Sequence, residues 1–74
     1  MSSKVFEIVA RIMGVPVDAV NLESSPETLE NWDSLRHMKL ILAIEESLGV
    51  QFSDEDIVSI KNVQDLLTRV EARH

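Results

Sequence analysis

The chain has 74 residues, a formal net charge of −6, 45% hydrophobic residues and no cysteine. Its length is near the lower limit for a fold without disulfides or metals, so it predicts a single domain over residues 1–74 with one modest core. The missing cysteines exclude disulfides, thiolate zinc sites and a cysteine nucleophile, and the negative charge opposes a nucleic-acid partner, whose phosphates need Lys and Arg.

One Trp, two Phe and no Tyr leave an aliphatic core of Leu, Ile, Val and Met. No apolar run approaches the roughly 20 residues of a membrane helix. The start, Met-Ser-Ser-Lys-Val-Phe-Glu, lacks the apolar centre of a signal peptide, so a cytoplasmic protein with no membrane contact is the expectation.

Residues 4 to 13 place Val5, Ile8, Val9 and Ile12 on one helical face, with Ser2 or Ser3 available as N-cap and Gly14 then Pro16 as the stop. The twenty residues from Gly14 to Asp33 show little periodicity. A loop of that length is uncommon in a compact domain unless it has a role. Val17, Val20, Leu22, Leu29 and Trp32 are apolar enough to pin it over the core, and Glu27-Thr28-Leu29-Glu30 has material for one turn.

The longest helix is predicted from Ser34 to Leu48, ending at Gly49. Leu40, Ile41, Ile44 and Leu48 make its core face, while Leu35, Met38 and Leu42 form a second apolar stripe, either covered by the long loop or free to meet a partner. Ser53-Asp54-Glu55-Asp56 resembles a capping box and opens a short helix with Ile57, Val58 and Ile60. Asn62, with Asp65 three residues on, caps a final helix carrying Val63, Leu66, Leu67 and Val70. The fold class is therefore all-α: a bundle of three longer helices and one short third helix, with a long loop between the first and second.

Asp33-Ser34-Leu35 is the point of chemical interest. Asp and Ser are good N-caps and need do no more than satisfy free backbone N–H groups. The same helix start, with its N–H groups and positive dipole end, also suits a phosphodiester anion. His37 lies three residues after Ser34, but a chain this small has little material for the oriented base and oxyanion hole of a serine hydrolase. His37 is instead expected to be a partly exposed helix residue, Trp32 an anchor against the helix, and His74 disordered. Asp54, Glu55 and Asp56 fit a helix first turn and lack the Gly and terminal Glu of a calcium loop, so no metal site is expected.

Trp32-Asp33-Ser34-Leu35, then Met38, Leu42 and Glu45-Glu46, then Gly49 and Phe52-Ser53-Asp54-Glu55-Asp56, resembles the acyl and peptidyl carrier protein family over nearly the whole chain. The resemblance implies that Ser34, within Asp33-Ser34-Leu35, receives 4′-phosphopantetheine from coenzyme A through a phosphopantetheinyl transferase. The arm would then carry acyl or aminoacyl groups as thioesters. The protein itself would catalyse nothing, acting as a monomer that serves a loading enzyme and a downstream acyltransferase or synthase.

The resemblance also implies that the helix after Ser34 is the docking surface, through Leu35, Arg36, Met38, Lys39, Leu42, Glu45 and Glu46. Fatty-acid synthase carriers have a predominantly acidic helix there. Arg36, His37 and Lys39 depart from that pattern and imply a dedicated biosynthetic pathway (polyketide-like, peptide-like or cell-surface modification). Between the second and third helices a cleft lined by Leu42, Ile44, Ile57 and Ile60 is expected to shelter cargo. The alternative is a helical interaction module without a prosthetic group, in which Ser34 is only a cap.

Overall fold

A computed structural model describes residues 2–73. Four α-helices occur among them: α1 Ser2–Met13, α2 Ser34–Leu48, α3 Asp54–Ser59 and α4 Val63–Arg73, with a 3-10 turn at Val17–Ala19 in the long loop. Helix α1 begins at Ser2, so neither Ser2 nor Ser3 holds the cap position expected of it. His74 lies outside the described residues.

Helices of fewer than roughly 12–15 residues are marginal alone, so α1, α3 and α4 depend on packing. Val5, Ile8, Val9 and Met13 of α1, Leu40, Ile41 and Ile44 of α2, and Val63, Leu66 and Val70 of α4 form one buried cluster. Burying each such side chain stabilises by about 1.5–3 kcal/mol. Helix α1 packs on both α2 and α4, whereas α3 has no helix at comparably close range along its length.

The helix ends follow local chemistry. Gly14 has φ +71°, and beyond it the Val15 N–H donates to the Ala10 carbonyl at 3.1 Å, the wide bond of a Schellman end. Gly49 closes α2 at φ +68°. Ser53 and Asp56 form a reciprocal capping box on α3, with bonds of 3.1 and 2.9 Å. Asn62 caps α4 by accepting from the Asp65 N–H at 2.7 Å.

The long loop is fastened more by polar bonds than by apolar side chains. The Val63 and Gln64 N–H groups, free donors at the start of α4, reach the carbonyls of Ser24 and Leu22, each at 3.0 Å. Asn31 donates from Nδ2 to the Met13 carbonyl at 2.9 Å. Val20 and Trp32 are buried and Leu29 partly so, but Val17 and Leu22 are exposed, contrary to the expectation that they pin the loop. The backbone bonds to α4 do that work, which frees those two side chains to face outward. The turn expected near Glu27 starts two residues earlier, where the Leu29 N–H donates to the Ser25 carbonyl at 2.8 Å.

Asp56 ties α3 to α4. Its side chain is 1% exposed and accepts from Ser53 N–H at 2.9 Å, Arg69 Nη1 at 2.9 Å and Arg73 Nη2 at 2.7 Å. The Ser53 backbone bond first, and the Arg73 guanidinium after it, hold the carboxyl below its ordinary value although burial pushes the other way. The folded-state value lies below the unfolded one. Its stabilisation is therefore complete above the ordinary value of 3.8 and disappears as pH falls through the folded value. Asp56→Asn is expected to melt below the wild type at neutral pH, with the gap closing under strong acid, as read by circular dichroism melts across pH.

Candidate functional site

The bland and the chemical readings of Asp33-Ser34 are separated by one bond. Asp33 is extended (φ −110°, ψ −174°), and its Oδ1 accepts from the Arg36 N–H at 2.9 Å, so Asp33 is the N-cap of α2. Ser34 is then the first helical residue, exposed, with no capping duty. Its hydroxyl makes no hydrogen bond among the described residues, and the N–H groups of Ser34 and Leu35 find no protein acceptor there. Free donors at the positive end of a 15-residue helix, beside an unengaged hydroxyl, fit a phosphodiester ester of Ser34.

Beside Ser34 lies an open groove of about 750 Å³, walled by Trp32, His37, Met38, Ile57, Val58 and Lys61. Its surface is largely apolar, with Lys61, Glu27 and the capping Asp33 as its charged residues. The cleft expected between α2 and α3 is thus present, but Leu42 and Ile44 do not line it. With 100° per residue, Ile44 lies about 120° around α2 from Met38 and is fully buried. Leu42 lies on the outer face, a full turn beyond Met38. Ile57 and Ile60 do line the groove, as expected.

The residues after Ser34 divide in a way the sequence reading missed. Arg36 turns toward α1, where its Nη1 donates to the Ile12 carbonyl at 2.7 Å. His37 is held at both ring nitrogens. The Trp32 indole N–H donates to Nδ1 at 3.0 Å and Nε2 lies 2.9 Å from the Ile57 carbonyl, which assigns the neutral tautomer protonated on Nε2. The two rings also stack, with centroids 6.1 Å apart. Trp32 is the expected anchor; His37 is the partly exposed helix residue expected, and in addition a bridge between Trp32 and Ile57.

The sequence carries a signal for those inward contacts of His37. Placed on a wheel from Ser34, it falls at roughly 300°, inside the sector of Ile41, Ile44 and Leu48.

The second apolar stripe is free. Leu35, Met38 and Leu42 are 65%, 44% and 59% exposed, and Val58 of α3 adds a further 73%-exposed side chain on the far wall of the groove. Lys39 and Glu46 are exposed on this side of α2, while Glu45 is half-buried and its Oε2 accepts from the Phe52 N–H at 2.9 Å. Among the described residues no three His, Asp or Glu side chains come together to hold a metal ion. Asp56 is engaged by two arginines, and Asp54 and Glu55 face outward.

The family whose model describes the phosphopantetheine attachment site matches residues 3–70. The chain is 37% identical over 73 residues to an acyl carrier protein of Solidesulfovibrio magneticus, covering 99% of this chain and 94% of the relative. It is 42% identical over 64 residues to an acyl carrier protein of Thermosynechococcus vestitus, covering 86% and 79% respectively. Its fold is similar to the solution NMR structure of the holo acyl carrier protein of Geobacter metallireducens, with a TM-score of 0.86 and 26% identity over 97% of this chain and 83% of that one.

Losing the Asp33 carboxylate leaves the Arg36 N–H unsatisfied while sparing the core. Asp33→Ala should lower stability by about 1 kcal/mol, and Asp33→Asn by less. Urea unfolding followed by helical ellipticity reads both.

Proposed function

The chain belongs to the phosphopantetheine-attachment family of acyl carrier proteins, and we propose that Ser34 is the residue that bears its 4′-phosphopantetheine. Members of this family are carriers, not enzymes, and hold the group covalently; they work with a phosphopantetheinyl transferase and with acyl-handling enzymes. The arm supplies a terminal thiol on which cargo travels as a thioester. The match over residues 3–70 displaces the alternative of an interaction module without a prosthetic group.

The observation that carries the assignment is that Asp33 caps α2 and leaves Ser34 exposed, with its hydroxyl free beside two unpaired N–H groups. On transfer, Ser34 Oγ forms a bond to the pantetheine-side phosphorus of coenzyme A as the bond to the nucleotide phosphate breaks, and its proton passes to a base of the transferase. The Ser34 and Leu35 N–H groups and the Lys61 ammonium would hold the resulting phosphodiester. Residues 1–74 then act as one monomeric carrier domain, in the cytoplasm where coenzyme A is made.

Leu35, Met38 and Leu42 form the docking surface in this reading, with Lys39 and Glu46 as its exposed charges and Arg36 and Glu45 at its margins. We also assign the carrier to a dedicated pathway of polyketide-like, peptide-like or cell-surface chemistry, with its own loading enzyme and downstream acyltransferase or synthase. The support is narrower than the sequence suggested. Arg36 and His37 turn inward to Ile12 and Ile57, so Lys39 alone brings positive charge to the outer face of the first turns. Even so, those turns expose no carboxylate of α2 beyond the cap, and a partner selected for an acidic helix finds little to bind there.

Incubation with coenzyme A and a broad-specificity phosphopantetheinyl transferase should add the mass of one phosphopantetheinyl group, and Ser34→Ala should abolish the gain while keeping its helical spectrum. An unmodified wild type beside a modified control carrier would contradict the assignment. For the pathway, malonyl transfer by a fatty-acid malonyltransferase should be at least tenfold slower than onto that pathway's own carrier; equal rates count against a dedicated role.

A further inference from the structure

Helix α3 has six residues and hangs between two polar braces. On one side Asp56 is gripped by Arg69 and Arg73 of α4. On the other side the link to α2 is a single hydrogen bond, from His37 Nε2 to the Ile57 carbonyl at 2.9 Å. That carbonyl belongs to the last turn of α3, where a longer helix would satisfy it with the Lys61 N–H. The Lys61 N–H goes instead to Asp65 Oδ2 at 3.0 Å, and His37 takes the vacant acceptor.

The same imidazole satisfies a second buried group. Trp32 is only 3% exposed, and its indole N–H has His37 Nδ1 as its acceptor. An apolar chain passing from the groove between α2 and α3 into the core must push His37 aside. Doing so strands a buried donor and a helix-end acceptor together, and neither has another partner among the described residues. The open groove beside Ser34 offers apolar walls, Met38, Ile57 and Val58, at no such cost.

We propose that His37 is a specificity-determining latch, joining α3 to α2 and buried Trp32, that keeps thioester cargo in the surface groove and out of the core. The inference rests on Ser34 being the attachment point. Cargo suited to such a carrier is a short or polar acyl group, an aminoacyl group included, because a long alkyl chain gains burial only by breaking the latch.

The test loads the apo protein with acetyl- or octanoyl-phosphopantetheine from the corresponding coenzyme A thioesters, using a broad-specificity transferase. Mass spectrometry reports loading; if none occurs at Ser34, the carrier assignment fails by itself. In the unloaded protein, independently, His37→Leu should speed amide exchange of Ile60 at the end of α3 by at least tenfold and leave Leu66 in α4 unchanged. Unaltered exchange at Ile60 overturns the latch.

In the loaded forms, the wild-type methyl resonances of Leu40, Ile44 and Leu66 should coincide between acetyl and octanoyl cargo, while those of Met38 and Val58 move. In His37→Leu the core methyls should move as well. Octanoyl-dependent shifts of Ile44 and Leu66 in the wild type overturn the proposal, as does a variant whose core stays silent. Should His37→Leu not fold, Trp32→Phe removes the donor that holds the imidazole in register; octanoyl-dependent core shifts there support the latch and their absence overturns it.

Discussion

Every helix ends in carbonyl groups that its own backbone cannot satisfy, and in this protein side chains flanking Ser34 satisfy three of them, at the ends of α1 and α3. Asn31 and Arg36 reach the carbonyls of Met13 and Ile12 at the end of α1, and His37 reaches that of Ile57 at the end of α3. A bundle with sixteen apolar side chains in its buried core among the described residues has limited means of orienting its helices by packing alone. Directional bonds from one short stretch, residues 31 to 37, set α1 and α3 about the start of α2. Ser34 sits at the centre of that stretch, so the precision of the surroundings is concentrated where the proposed attachment would have to be recognised.

Much of this was legible in the sequence, and the parts that were not share a physical cause. The bounds of α2, its Leu40, Ile41 and Ile44 face, the Ser53–Asp56 capping box and the Asn62 cap all depend on neighbours within four residues. Such local rules can be read without a fold. The carbonyls that Arg36 and His37 reach, those of Ile12 and Ile57, lie 24 and 20 residues away in the chain, and no periodicity names them. The long loop shows the same division. Its burial of Val20 and Trp32 followed from hydropathy, but its attachment to α4 is made by backbone carbonyls of Leu22 and Ser24, and every residue type has that group.

The inward turn of Arg36 and His37 also changes the electrostatics of the outer face. Formal charge along α2 suggests a cationic start and an acidic end, yet one cation is committed to the end of α1, where it meets the negative pole of that helix, and the imidazole is neutral between Trp32 and Ile57. What faces solvent is an apolar stripe with Lys39 and Glu46 beside it. In the proposed docking, recognition there would rest mainly on shape and on the adaptable contact of Met38.

The division of labour between Asp33 and Ser34 has a consequence for how the two forms of the protein relate. Had the serine been the cap, esterifying its oxygen would have withdrawn a hydrogen bond from the helix, and the unmodified and modified chains would differ in stability. Because the neighbouring carboxylate closes the helix, the hydroxyl can be converted without removing any bond from the fold. The proposed modification would therefore cost the helix no cap and could only add contacts, at the free Ser34 and Leu35 N–H groups, so the chain can be folded and stored before it is charged. Under the proposed attachment, downstream enzymes would tell the two states apart by what is attached, since the Asp33 cap is kept in both.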